Sequence, residues 1–86
     1  MEGPLEVWQG MMGLGGWTKK YFVLSRAVLE CYDRRDGEIE TQINLKIATI
    51  KPSKKSSKQF TIMAGANWYR VRAVSEELRA RWIELL

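Results

Sequence analysis

A nine-residue stretch, Gly16-Trp17-Thr18-Lys19-Lys20-Tyr21-Phe22-Val23-Leu24, constrains the fold more than any other segment of the chain. Strand side chains alternate between two faces with a period of two. One face here carries Thr18, Lys20, Phe22 and Leu24, and the other carries Trp17, Lys19, Tyr21 and Val23. The first face begins polar and cationic and ends apolar. A strand lining a small barrel has this profile, with its first residues at the open mouth and its last in the core. A lysine at the mouth of a dry cup is placed to hold an anion. The segment therefore predicts a half-open β structure with a phosphate-sized site at one end.

The rest of the chain repeats short apolar segments separated by turn residues, an all-β pattern. Strands are predicted at residues 3–9, 17–25, 28–32, 42–46, 48–51, 58–63 and 67–73. Their inward candidates include Leu5, Val7, Leu29, Cys31, Ile43, Leu45, Ile50, Phe60, Ile62, Tyr69 and Val71. Residues 10–16 read as a glycine-rich loop, 33–38 as a charged loop, and 52–57 as a basic one. After residue 73 the period changes to that of a helix. Ser75 is a cap, Glu76 and Glu77 suit the positive N-terminal end, and Leu78, Trp82 and Leu85 or Leu86 form one apolar stripe. Glu77 and Arg81 are spaced to pair on the exposed side.

At 86 residues the chain is one domain, and its 45% hydrophobic content must supply a dense core. A single cysteine, Cys31, excludes an internal disulfide framework and reads as a core residue. No apolar run reaches the roughly 18 residues that span a bilayer, and the N-terminus lacks a secretory pattern. The expectation is a soluble, cytoplasmic domain. The helix runs to Leu86 without a capping glycine, as expected of a domain spanning 1–86 excised from a longer protein. Charge is uneven: residues 1–50 hold six Lys/Arg against seven Asp/Glu, and residues 51–86 hold eight against three. A basic half points to an anionic partner or serves solubility alone.

The element order, the Gly-Trp-x-x-Lys-Tyr-Phe-Val-Leu strand and Trp82 in a terminal helix resemble a pleckstrin homology domain over the whole chain. Three further stretches are similar to the subgroup found in oxysterol-binding protein, ceramide transfer protein and the four-phosphate adaptor proteins. They are Glu2-Gly3-Pro4-Leu5 with Trp8, Ile43-Asn44-Leu45, and Tyr69-x-x-x-Ala73 leading into Ser75-Glu76 and Arg81-Trp82. The resemblance implies a mostly β, seven-stranded, partly open barrel of two near-orthogonal antiparallel sheets, with the C-terminal helix plugging one end. It also implies a peripheral membrane module that binds phosphatidylinositol 4-phosphate on Golgi-type membranes.

Carried over residue by residue, the family's headgroup motif matches at Lys20, with Thr18 and Lys19 beside it. It departs at Val7, where the family usually has lysine, and at Glu40, where a basic residue is frequent. A phosphomonoester wants several convergent donors, and a single lysine is a point charge. The expected affinity of this pocket is weak or absent. Arg34 and Arg35 either compensate or are neutralised by Asp33 and Asp36. In the related domains the first loop enters the bilayer; here Met11, Met12 and Leu14 are its apolar side chains, with Trp8 and Trp17 either at interface level or packed. Lys51, Lys54, Lys55 and Lys58 form a basic cluster in the loop between the fifth and sixth strands. That loop is expected near the first loop, either as an alternate anion site or as a solvated connector. Trp82, Leu78, Phe22 and Leu24 are structural, with Trp82 and Leu78 sealing the barrel end.

Enzyme readings fail on inventory. The chain has no histidine for a triad or zinc site, one cysteine without a base, and no glycine-rich phosphate loop before a helix. No metal or cofactor is expected. The basic loop lacks interleaved aromatics, which argues against nucleic acid. The alternative to membrane binding is a protein-interaction module on the same scaffold, whose partner is a small GTPase or another protein domain.

Overall fold

The computed structural model describes residues 1–11 and 14–86. Seven antiparallel strands and one helix follow in order: β1 (Glu2–Met11), β2 (Leu14–Ser25), β3 (Val28–Tyr32), β4 (Ile39–Asn44), β5 (Ala48–Pro52), β6 (Gln59–Ala64), β7 (Asn67–Arg72) and α1 (Glu76–Leu85). The strands form one continuous sheet in the order β4-β3-β2-β1-β7-β6-β5. The joint between β1 and β7 is only two pairs long, Glu6 with Arg72 and Val7 with Val71. The expected two sheets are thus a four-stranded and a three-stranded half joined at this short seam, and β4 and β5 are the open edges.

Both halves turn their apolar alternation inward. Leu5, Phe22, Leu29, Cys31 and Ile43 meet Phe60, Ile62, Val71 and Ala73, and Trp82 from α1 fills the space between them at 1% exposure. Leu24, Val7, Leu45, Ile50 and Tyr69 pack at the margin of this core. Except at Glu40 in β4, the inner faces of the strands were readable from period two.

Four local expectations are corrected. Strand pairing extends into the loop expected at 10–16: β1 continues to Met11 and β2 starts at Leu14, pairing Gly10 with Gly15 and Met11 with Leu14. Gly10 and Gly15 serve close approach, not chain breaking. A Cβ on Gly15 would stand 2.6 Å from the Trp8 ring, which lies over that position. The strand expected at 42–46 begins earlier, at Ile39, and ends at Asn44, whose side chain accepts from Lys46 N–H and opens a 3-10 turn over Leu45–Ile47.

Leu78 does not seal the barrel, because the helix is rotated from the expected stripe. The side of α1 facing the sheet is Arg79, Trp82, Ile83 and Leu86, while Leu78 and Leu85 are 39% and 48% exposed. Ser75 does cap α1, its hydroxyl accepting from Leu78 N–H at 3.2 Å, with Glu76 and Glu77 in the first turn. Among the described residues no ion pair joins Glu77 to Arg81.

Candidate anion-binding site

Lys20 lies on the inner face of β2, as the alternation requires, and Lys19 is exposed on the outer face. The Lys20 ammonium is not free. Its Nζ lies 2.7 Å from Glu40 Oε1, and its side chain is only 13% exposed. The hydrogen bond that Lys20 donates to Glu40, opposed by partial burial, raises the Lys20 pKa above its ordinary value.

Glu40 reaches this position through an irregularity in the ladder. Cys31 pairs with Thr41 and Tyr32 with Ile39, so the register slips and Glu40 is the extra residue. A bulge of this kind re-aims a side chain that simple alternation would send to the other face. Glu40 and Thr41 consequently both line the mouth, a cavity of about 220 Å³ walled also by Val7, Phe22, Cys31 and Ile43. Burial, with the Glu40 charge adding, pushes the Cys31 thiol up to about 11.

Lys19, Lys20, Arg34 and Arg35 border a second cavity of about 340 Å³ with Pro4, Tyr21 and Asp33. Arg34 is partly spent on Asp33, at 3.6 Å. Thr18 lines neither cavity. Of the expected headgroup set, the structure therefore gathers Lys19, Lys20, Arg34 and Arg35 and leaves Thr18 out.

A second cationic surface lies elsewhere. Cross-strand register places Lys51, Thr61 and Arg70 in one row on the outer face of β5, β6 and β7. With Lys54, Lys55, Ser53, Gln59, Met63 and Trp68 they line a cavity of about 610 Å³ that contains no acidic residue. Lys58, the fourth lysine of the expected cluster, is not among these lining residues. Arg70 and Trp68 had no place in the sequence-based site. Parity could have supplied both, since they alternate with the inward Tyr69 and Val71.

The basic loop is built, not merely solvated. Arg79 of α1 donates to the carbonyls of Ser53, Ser56 and Gln59 at 3.3, 3.3 and 3.0 Å. The Ser53 hydroxyl accepts from Lys55 and Ser56 N–H, and Ser57 donates to Glu76 at 2.5 Å. These bonds hold the loop at the Arg72 end of β7, beside the helix. The first hairpin lies beyond the opposite end of β7, because β1 runs from Val7 toward Met11 as β7 runs back from Val71 toward Asn67. The loop expected beside the first hairpin is thus separated from it by the length of β7.

Trp8 and Trp17 pack against each other edge to face, with ring centroids 5.5 Å apart. Arg70 covers Trp8 at 5.1 Å and Arg72 covers Trp17 at 4.4 Å, and Arg72 also binds the Glu6 carboxylate at 3.0 Å. Of the expected membrane-inserting residues, Leu14 is 79% exposed and Trp8 40%. Met12, and with it the tip of the loop, lies outside the described residues, as does the Met11 side chain.

The family model for the pleckstrin homology domain matches residues 11–86. The chain belongs to this family, whose members are generally binding modules without enzymatic activity. It is 30% identical to human pleckstrin homology domain-containing family A member 3 over 90 residues, covering all of this chain and 29% of that protein. The solution structure of the pleckstrin homology domain of human oxysterol-binding protein-related protein 11 superposes with a TM-score of 0.83 at 27% identity, covering 98% of this chain and 73% of that one. The C-terminal domain of pleckstrin in complex with D-myo-Ins(1,2,3,5,6)P5 superposes with a TM-score of 0.81 at 24% identity, covering 98% and 87%. The chain thus spans under a third of the length of the human curated relative.

Proposed function

We propose that this domain recruits its parent protein to an anionic, inositide-bearing membrane, with the outer face of β5–β7 supplying most of the attraction. The observation that carries this reading is the cavity lined by Lys51, Lys54, Lys55 and Arg70 without an acidic neighbour. Convergent cations of this kind suit phosphate groups, and each near a lipid surface contributes about 1 kcal/mol. Trp68, 72% exposed in the same cavity, and Leu14 at the first hairpin add apolar anchors. The inositol polyphosphate held by the pleckstrin domain is the same ligand chemistry on the same fold. Phosphatidylinositol 4-phosphate, and hence a Golgi-type membrane reached from the cytoplasm, is the inositide we favour from the subgroup resemblance.

Co-sedimentation tests this directly, using phosphatidylcholine vesicles that carry either phosphatidylinositol 4-phosphate or a charge-matched amount of phosphatidylserine, at two salt concentrations. Binding to both, stronger with the inositide and weakened by salt, is expected. Absence of binding to either by the folded domain would move the assignment to protein interaction. The exposed Trp68 favours that second reading, because tryptophan is a frequent interface anchor.

A further inference from the structure

The mouth cavity holds one cation, Lys20, and one anion, Glu40, in contact at 2.7 Å. We propose that Glu40 is an internal competitor that occupies Lys20 and keeps phosphomonoesters out of the mouth, making it the residue that sets which anions this domain accepts. The membrane reading bears on this only through the choice of probe.

Three observations carry it. The separation is that of a charge-assisted hydrogen bond, so a carboxylate oxygen stands where a phosphate oxygen would have to be. The bulge in β4 turns Glu40 into the cavity, where Thr41 and the apolar walls leave about 220 Å³ above the pair. Finally, Lys20 also borders the neighbouring cavity of about 340 Å³, so a Lys20 released from Glu40 joins Lys19, Arg35 and an Arg34 partly spent on Asp33.

The physics favours the internal anion. A tethered group competes at an effective concentration of millimolar or more, whereas an outside ligand present at micromolar levels must displace it. Displacement would also leave the Glu40 carboxylate beside a phosphate dianion, a repulsive arrangement. The pair therefore subtracts from the site twice, by occupying its donor and by repelling its ligand.

The experiment compares the parent domain with Glu40→Gln, Glu40→Ala, Glu40→Gln/Lys20→Ala and the charge-matched control Glu38→Gln. Each is titrated with inositol 1,4-bisphosphate and, separately, with inorganic phosphate, by calorimetry and by the NMR signal of the Lys20 ammonium. Glu40→Gln should bind inositol 1,4-bisphosphate at least about tenfold more tightly than the parent. The Lys20 signal should move only in the variant, and the added Lys20→Ala should erase the gain. A gain confined to the inositol ligand identifies a lipid headgroup as the excluded anion, and a gain with both identifies any phosphomonoester; either supports the proposal. Equal behaviour of Glu40→Gln and Glu38→Gln overturns it, as does a gain that survives loss of Lys20. Glu40→Ala carries the same reading should Glu40→Gln fold poorly. The soluble probe reads the mouth while phosphatidylserine vesicles read the outer face, so one idea can fail without the other.

Discussion

At the mouth of the barrel, Lys20 is largely covered and held by Glu40; across the sheet, Lys51, Lys54, Lys55 and Arg70 line a larger cavity with no carboxylate among them. Both regions are cationic in sequence, and only one remains so after folding. The difference arises from backbone geometry. A one-residue slip in β4 delivers an acid to the first region, while an unbroken register across β5, β6 and β7 aligns cations in the second. A count of nearby lysines therefore misjudges an anion site unless the carboxylates that the backbone aims at them are counted too.

The sharpest way to break this comparison is to neutralise each region separately. Lys51→Gln/Lys54→Gln/Lys55→Gln should lower affinity for phosphatidylserine vesicles by about a hundredfold at low salt, from roughly 1 kcal/mol per lysine. The salt slope should flatten with it, because the lost attraction is the screened part. Glu40→Gln/Lys20→Ala, by contrast, should change vesicle affinity by less than about twofold, since it removes a pair whose charges already cancel. Sedimentation at two ionic strengths reads both. A large loss with Glu40→Gln/Lys20→Ala and none with the triple variant would reverse the roles of the two regions.

A second substitution asks whether the outer region depends on being built. Arg79→Ala removes the guanidinium that gathers the Ser53, Ser56 and Gln59 carbonyls. Stability should fall by about 1–2 kcal/mol in urea titrations. Vesicle affinity should fall several-fold although no lysine has been touched. Faster hydrogen exchange at the loop amides, with the Lys20 environment unchanged by NMR, would confine the effect to this region. Unchanged exchange would show that the loop holds its shape without the helix.

Legibility in the sequence followed the same divide. Period two placed Phe22, Leu29, Cys31, Ile43, Phe60, Ile62 and Val71 inside and Lys20 at the mouth, because alternation is a local rule that folding did not override. Trp82 and the Ser75 cap were equally legible. The Lys20–Glu40 contact was not, because a bulge is a property of two strands and leaves no mark in either alone. The Arg79 clamp was hidden by the helix rotation. Reading the stripe from Leu78 assigns Arg79 to solvent, whereas the stripe from Arg79 through Trp82, Ile83 and Leu86 turns it toward the sheet. Gly10 and Gly15 misled for another reason: a residue type that breaks strands in solution was making room for the Trp8 ring on the ladder.

Alkaline titration separates the regions by stability. Cys31 is raised from 9.0 to about 11 in the fold. Between these values the unfolded chain has given up the thiol proton and the folded chain keeps it, so stability falls as pH rises. The raised Lys20 acts in the same direction: its contribution is complete below the unfolded value of 10.5 and is lost as pH climbs through the higher folded value. Urea titrations should be level from pH 7 to about 9 and then lose about 1–2 kcal/mol by pH 11. Cys31→Val should delay the onset, and Glu40→Gln should bring the Cys31 thiol down and speed its alkylation at pH 8. Lys51→Gln/Lys54→Gln/Lys55→Gln should leave this profile in place.

The smallest effect supplies a zero point for both regions. Arg26, in the turn between β2 and β3, has φ of 54°, a left-handed conformation that costs a side-chain-bearing residue about 1 kcal/mol. Glycine adopts it freely but loses more entropy on folding, by about 0.5–1 kcal/mol. Arg26→Gly should therefore gain no more than about 0.5 kcal/mol, the difference between those two terms. The turn lines neither the mouth nor the outer cavity, so affinities for vesicles and for inositol 1,4-bisphosphate should match the parent at high salt. Gly65 gives the opposite case in the turn between β6 and β7. With φ of 62°, Gly65→Ala should cost about 1 kcal/mol although nothing stands within 4 Å of the added carbon. If either turn variant changed anion binding as much as the lysine substitutions do, the losses assigned to particular cations would instead reflect the stability of the whole sheet.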